Sequence, residues 1–225
     1  MRAAIIIPVY NGMAYIAETL KSAIAQSQRS LEIIVVDDFS TDSTVEIVNF
    51  YGDKDKRVRL IKHESNRGRS IARNTGIASS SAEIILCNDH DDILLSSRVG
   101  ATLAFFKKNP SVDVTYSKFQ VIDALGEVLG LQPIQPFDFE RVKKTGFTYI
   151  GHSTMAFRRK VFDAVKYTDG EYSRNAIDDW KFQVDAYKAG FRFCPINKTL
   201  EQYRLIQKPR DEKRIAELKE AAINA

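Results

Sequence analysis

"LEIIVVDDFSTDSTVEIV", residues 31–48, passes from an almost wholly apolar run, through carboxylates and hydroxyls, into a segment of helical character. Residues 31–37 are rich in Ile and Val and lack the polar alternation of a half-solvated strand, so they read as a parallel strand buried on both faces. Ser43 followed by Glu46 has the spacing of a capping box, which predicts a helix start. The same order recurs through the first half of the chain. "AAIIIPV" (3–9), "VRLIKH" (58–63) and "EIILCN" (83–88) repeat the strand character. Between them, Ile16, Leu20 and Ile24 recur every four positions within residues 14–26, and "SIARNTGIA" (70–78) follows Gly68. Strand and helix in alternation predict an open α/β sheet, mostly parallel, with right-handed crossovers and helices on its faces.

The second half is more mixed. "VDVTYSKFQVI" (112–122) and "STMAF" (153–157) read as strands, "GEVLG" and "LQPIQPF" (126–137) as loop or edge, and residues 96–109 as a helix. "DDWKFQVDAYKAG" (178–190) reads as a helix ended by Gly190. In the tail, residues 208–225, charge alternates around Ile215, Leu218 and Ala222, the pattern of a surface helix that packs one narrow stripe. Its basic residues Lys208, Arg210, Lys213 and Arg214 read as a solvated face balanced by Asp211, Glu212, Glu217 and Glu220. Peripheral membrane contact is the alternative if the acceptor is lipid-linked.

At 225 residues, 44% hydrophobic, the chain is long enough for one full-sized core and short for two. The net charge of +4 is mild and dispersed, which suits an anionic ligand without implying nucleic acid. Cys87 and Cys194 have no metal spacing, so neither a disulfide framework nor a zinc site is indicated and a reducing compartment such as the cytoplasm is expected. No segment approaches the ~20 apolar residues that a membrane-spanning helix needs.

In an open α/β sheet the ligand sits beyond the carboxyl ends of the strands, at a switch in strand order. Those ends carry Pro8, Val9, Tyr10 and Asn11, then Asp37 and Asp38, then Asn66–Arg69, then Asn88–Asp92. Neither G-x-G-x-x-G after the first strand nor G-x-x-x-x-G-K-[ST] is present, which disfavours dinucleotide oxidoreductases and P-loop kinases. Asp89 and Asp91, two apart at a strand end, can face one hard cation that keeps positions for water and phosphate oxygens.

"IIIPVYN", "IIVVDDFSTDST", "NRGRSIARNTGI", "NDHDDILLSSR" and "DDWKF" together resemble the ordered motifs of family 2 glycosyltransferases, inverting enzymes of GT-A fold that use nucleotide-diphosphate sugars. The resemblance implies a single GT-A domain with a nucleotide-binding half (1–92), an acceptor-side half (93–207) and the tail. It places Pro8, Val9, Tyr10 and Asn11 beside the donor nucleotide, with Tyr10 against the base and Asp38 accepting a hydrogen bond from it. It also places Arg73 near the nucleotide or diphosphate, Asp89 on ribose or metal, and Asp91 on a Mn²⁺ or Mg²⁺ ion. On the acceptor side it makes Asp179 the general base and Asp178 a positioning residue, with His152 and Trp180 nearby. Internal ion pairing for Arg73, and helix capping for Asp178 and Asp179, are the ordinary alternatives.

The resemblance departs from the family at Asn88, Ser96, Ser97, Lys166 and Asp178, and no histidine follows Tyr203 and Arg204, so a further metal ligand from that loop is not expected. The implied reaction is metal-assisted transfer of a hexosyl group, from a UDP-sugar by default, to a saccharide, lipid-linked glycan or growing polysaccharide. A nucleotide-sugar-binding module without turnover and a nucleotidyltransferase are the competing readings. The latter lacks a glycine-rich phosphate loop, since "PVYNGMAY" offers a single glycine.

Overall fold

The computed structural model describes residues 1–206 and 212–224. The first half runs β1 (Ala3–Val9), α1 (Ile16–Ile24), β2 (Leu31–Asp37), α2 (Thr44–Lys54), β3 (Val58–Lys62), α3 (Arg69–Ala78) and β4 (Ile84–Cys87). The second half continues with β5 (Ile93–Leu94), α4 (Arg98–Lys108), β6 (Val114–Ile122), β7 (Val128–Gln132) and α5 (Phe139–Thr145). It ends with β8 (Ala156–Arg158), α6 (Arg159–Ala164), α7 (Glu171–Arg174), α8 (Asp178–Lys188), β9 (Phe193–Arg204) and α9 (Glu212–Asn224).

One sheet runs in the order β3-β2-β1-β4-β8-β6-β9-β5, with β7 paired to β6. β3, β2, β1 and β4 are mutually parallel, and β8 enters antiparallel between β4 and β6. The strands are continuously apolar because both faces are covered. Ile5, Ile7, Ile33 and Val35 turn toward α1, α2 and α4, packing with Leu20, Val48 and Phe106. Their neighbours Ile6, Ile34 and Val36 turn the other way and pack with Ala72, Ile77 and Phe182 of α3 and α8. A satellite cluster joins Trp180 and Val184 to Ile215, Leu218 and Ala222, so α9 packs the narrow stripe its sequence predicts.

The chain moves outward from β1 to β2 and β3, then returns to place β4 on the other side of β1. That reversal opens a crevice between the carboxyl ends of β1 and β4, where Tyr10 and Asp89 stand.

Two local expectations need correction, and one strand goes unanticipated. α2 starts after Ser43, but no capping box forms: the Ser43 side chain caps nothing, and the first-turn amide of Thr44 is taken by Asp42 Oδ1 at 3.0 Å. Residues 153–157 are not all strand: His152–Thr154 form a 3₁₀ turn, and the strand is Ala156–Arg158. β9, long and polar at many positions, escapes periodicity because it is held by pairing with β6 along its length.

Gly76 of α3 lies against β1 and β2, where an added Cβ would meet Ile6 Cγ2 at 2.7 Å and Val36 Cγ2 at 3.0 Å. Gly76→Ala should therefore destabilise by about 1–3 kcal/mol in urea unfolding, since overpacking outweighs the helix propensity Ala adds.

Candidate active site

α3 is the element on which the site is built. Arg69 and Arg73 lie four apart on one helix face, which aims both at the start of α8. Arg73, 4% exposed, donates to Asp89 Oδ1 at 2.7 Å and to Asp178 Oδ2 at 2.5 Å. Arg69 forms a second ion pair with Asp178 Oδ1 at 2.7 Å. Asp178 is wholly buried, so its charge is tolerable only because two guanidinium groups match it. Burial would raise the pKa of Asp89, but Arg73 outweighs it and holds the carboxyl well below the usual range.

Two cavities meet along this network. The first, about 420 Å³, is lined at one end by Pro8, Val9, Tyr10 and Asp38 and at the other by Asp89 and Asp91. Asp38 is pinned at its edge, accepting from the Arg67 amide at 2.9 Å and the Gly68 amide at 2.7 Å and pairing with His63 Nδ1 at 2.7 Å. These contacts occupy most of the ~4 lone-pair sites of a carboxylate and leave room for one more donor. Asn11 is not on the cavity lining; its backbone has φ 49° and its side-chain oxygen takes the Thr41 amide at 2.8 Å, so it shapes the turn. Asp37 likewise takes the Ser40 amide at 3.2 Å and so organises the turn.

Asp89 and Asp91 supply hard oxygen donors on one wall. No third His, Cys, Asp or Glu joins them in a metal-sized cluster among the described residues. The pair fits a hard divalent cation that takes the rest of its shell from diphosphate oxygens and water. Asp92 is structural. It is buried, accepts from Ser153 Oγ and from the Arg204 amide at 2.7 Å, and burial followed by its acidic neighbours raises its pKa well above the usual range.

The second cavity, about 340 Å³, shares Arg69, Arg73 and Asp89 with the first and adds His152, Asp179 and Trp180. Asp178 and Asp179, adjacent in sequence, thus occupy different environments. Asp178 is locked behind the wall, whereas half-buried Asp179 faces the cavity and accepts from the Trp180 amide at 2.7 Å. Burial, then the neighbouring charge of Asp178, raises the Asp179 pKa, despite the amides of the helix start. Burial, and next the Arg73 charge, hold His152 well below its usual pKa and keep the imidazole neutral.

The sequence placed Arg69 among the strand-end residues but gave it no role, although its spacing from Arg73 was visible. It also left Arg204 without a role. That side chain donates to the Asp91 carbonyl at 2.9 Å, to Glu18 at 2.5 Å and to the carbonyls of Asp123 and Ala124, tying β9 to the Asp-x-Asp turn. Of the basic tail residues, Lys208 and Arg210 lie outside the described residues, while Arg214 pairs with Glu171 and Glu217. No described helix is long and apolar enough to cross a membrane.

A sequence model of the family described as Glycosyl transferase family 2 matches residues 4–166. An uncharacterized glycosyltransferase of Haemophilus influenzae is 35% identical over 128 residues, 57% of this chain and 51% of the relative, so the chain spans about half of that protein's length. Among solved structures, S. aureus TarS 1-349 in complex with UDP-GlcNAc superposes with a TM-score of 0.77 at 22% identity, covering 99% of this chain and 66% of that one. The mannosyltransferase PcManGT from Pyrobaculum calidifontis, in complex with GDP-Man and Mn²⁺, gives 0.69 at 19% identity, covering 93% and 58%. At these identities the two structures establish a shared fold.

Arg73→Met would leave Asp89 unpaired and Asp178 with one partner. Equilibrium unfolding should show a loss of about 3–5 kcal/mol, the scale for breaking a buried ion pair from one side.

Proposed function

The chain belongs to glycosyl transferase family 2, and on that premise we propose that it transfers a sugar, with inversion, from a nucleotide-diphosphate sugar to an acceptor hydroxyl. The observation that carries the proposal is the division of labour between Asp178 and Asp179 across the wall of two adjoining cavities. The first cavity holds the donor. Tyr10 lies against the base and the free lone pair of Asp38 accepts from it, an arrangement that suits uracil. Pro8 and Val9 line the nucleotide's path, and Asn11 acts through the turn it shapes. Asp89 contacts the ribose or the metal, and Arg73 acts on the donor side by holding that carboxylate in place. A Mn²⁺ or Mg²⁺ ion held by Asp91 and Asp89 would neutralise diphosphate charge. The complex of PcManGT with GDP-Man and Mn²⁺ supports that assignment by likeness of fold.

In the second cavity, Asp179 accepts the proton of the acceptor hydroxyl as its oxygen forms a bond to the anomeric carbon. The bond from that carbon to the diphosphate breaks on the opposite face of the sugar, and the nucleoside diphosphate carries away the electron pair. A raised pKa makes Asp179 a stronger base than an ordinary aspartate. Asp178 keeps α8 and hence Asp179 in place, and His152 and Trp180 form the acceptor side. Cytoplasmic nucleotide sugars would feed the donor cavity. The acceptor class is a saccharide, lipid-linked glycan or polysaccharide.

The decisive assay follows nucleoside diphosphate release from a panel of nucleotide sugars. Release of pyrophosphate instead would favour a nucleotidyltransferase, and binding without release a non-catalytic module. Asp179→Asn should bind donor normally yet lose about 10²–10⁴ in single-turnover rate.

The pH profile tests the same residue with a definite sign. Protonated Asp179 cannot act as a base, so the rate should fall with decreasing pH, through an acid limb above the ordinary aspartate range; in Asp179→Asn that limb should disappear. EDTA should abolish turnover and Mn²⁺ or Mg²⁺ restore it, while Asp91→Asn should stay folded and inactive; full activity of Asp91→Asn in EDTA would exclude a metal requirement.

A further inference from the structure

The cavity beside Asp179 carries polar groups that the fold leaves unmatched. His152 Nδ1, Trp180 Nε1 and Gln183 Oε1 are shut from solvent and have no hydrogen-bond partner among the described residues. All three side chains line that cavity. Each such group costs free energy unless a partner reaches it, and in most folded proteins buried polar atoms are paired.

The kinds of groups narrow the partner. The indole N–H of Trp180 only donates, and the amide oxygen of Gln183 only accepts. His152 is neutral, so its Nδ1 donates or accepts according to the tautomer set by Tyr167, whose hydroxyl lies 3.3 Å from Nε2. An ionised phosphate offers acceptors alone and leaves Gln183 unmatched. An ammonium offers donors alone and leaves Trp180 unmatched. A hydrocarbon chain matches none of them. A polyhydroxylated ring supplies both roles from every hydroxyl.

The rest of the cavity fits the same ligand. Phe147 and Tyr149, 58% and 41% exposed, stand at its mouth with ring centroids 6.2 Å apart. Arg141 covers one face of Tyr149 at 4.6 Å and Lys219 one face of Phe147, so a sugar ring would lay its C–H face on the opposite side of each. Tyr149 is held at φ 58°, a left-handed conformation that a bulky residue adopts at a cost and that concentrates at ligand sites. The arginines of the cavity are already matched by Asp89 and Asp178, while the Asp179 carboxylate repels an anion. Lys219 also lines the cavity and sits over the Phe147 ring at 4.4 Å and the Trp180 ring at 5.6 Å, bracing the aromatic wall from α9.

We propose that this cavity recognises the acceptor through a neutral sugar ring, stacked on Tyr149 and Phe147 and hydrogen-bonded by Gln183, Trp180 and His152. These polar atoms are covered, so recognition requires side-chain movement that uncovers all three. The proposal rests on the second cavity being the acceptor side, but recognition of the sugar is separable from transfer.

The test is saturation-transfer NMR on the full chain with UDP present. The probes are a panel of free neutral mono- and disaccharides, glycerol 3-phosphate and a short-chain polyprenyl phosphate. At least one saccharide should receive saturation from the protein. Gln183→Leu and Tyr149→Ala should each weaken that saccharide by roughly ten-fold or more in Kd, with the melting temperature and UDP affinity as controls for folding and for the donor half. Gln183→Glu is the second variant at that position: it keeps an acceptor and should retain more affinity than Gln183→Leu. Failure of every saccharide to bind, binding of a phosphate probe alone, or full saccharide affinity in both Gln183→Leu and Tyr149→Ala would each overturn the proposal. The nucleotide titration, run with UDP and with GDP, reports separately: absence of binding by both with saccharide binding intact sinks the donor-site reading and leaves this one standing.

Discussion

One buried guanidinium group holds the two halves of this protein in register. Arg73 reaches from the middle of α3 to Asp89 at the end of β4 and to Asp178 at the start of α8. These carboxylates come from opposite halves of the chain and could not approach each other without a cation between them. The guanidinium suits the position because its planar fork serves two carboxylates at once, which an ammonium on a flexible stem does less well. Arg69, one turn earlier, completes the charge balance around Asp178. The wall between the two cavities is therefore an ion network whose cost of burial is offset only when every member is present.

The network also explains how two adjacent aspartates acquire different properties. Asp178 spends both oxygens on arginines and contributes its charge to structure. Asp179 is left facing a cavity, partly desolvated and beside a fixed negative charge, so its proton affinity rises. Neither residue needs a special sequence context for this. The difference comes from which side of the wall each side chain meets as α8 begins.

Supports further out keep the wall in place. Arg204 ties β9 to the Asp-x-Asp turn through the Asp91 carbonyl and the Asp92 carboxylate's grip on its amide. Arg98 and Glu201, both wholly buried, pair at 3.2 Å between α4 and β9. α9 covers Trp180 through Leu218 and Ile215 and so backs the second cavity. The fold thus brings its last helix to a cavity whose first lining residue, Arg69, lies in the first third of the sequence.

By itself the sequence determined the elements whose cause is local. Continuous Ile and Val runs declared strands covered on both faces, four-residue spacing declared α1 and the stripe of α9, and the rule of strand ends collected Tyr10, Asp38, Asp89 and Asp91 at one edge. The resemblance of its ordered motifs pointed to the family that the comparison later established. Tertiary structure decided what depends on partners distant in the chain. The capping box at Ser43 did not form, with Asp42 instead holding the Thr44 amide, and β9 formed because β6 was available to pair with it. Whether Arg73 was a ligand contact or an ion-pair partner, and which aspartate of the pair at 178 and 179 faced a cavity, had no local signature. Charge–charge energies in a protein interior depend on separation and burial, and both are set only when residues over a hundred positions apart come together.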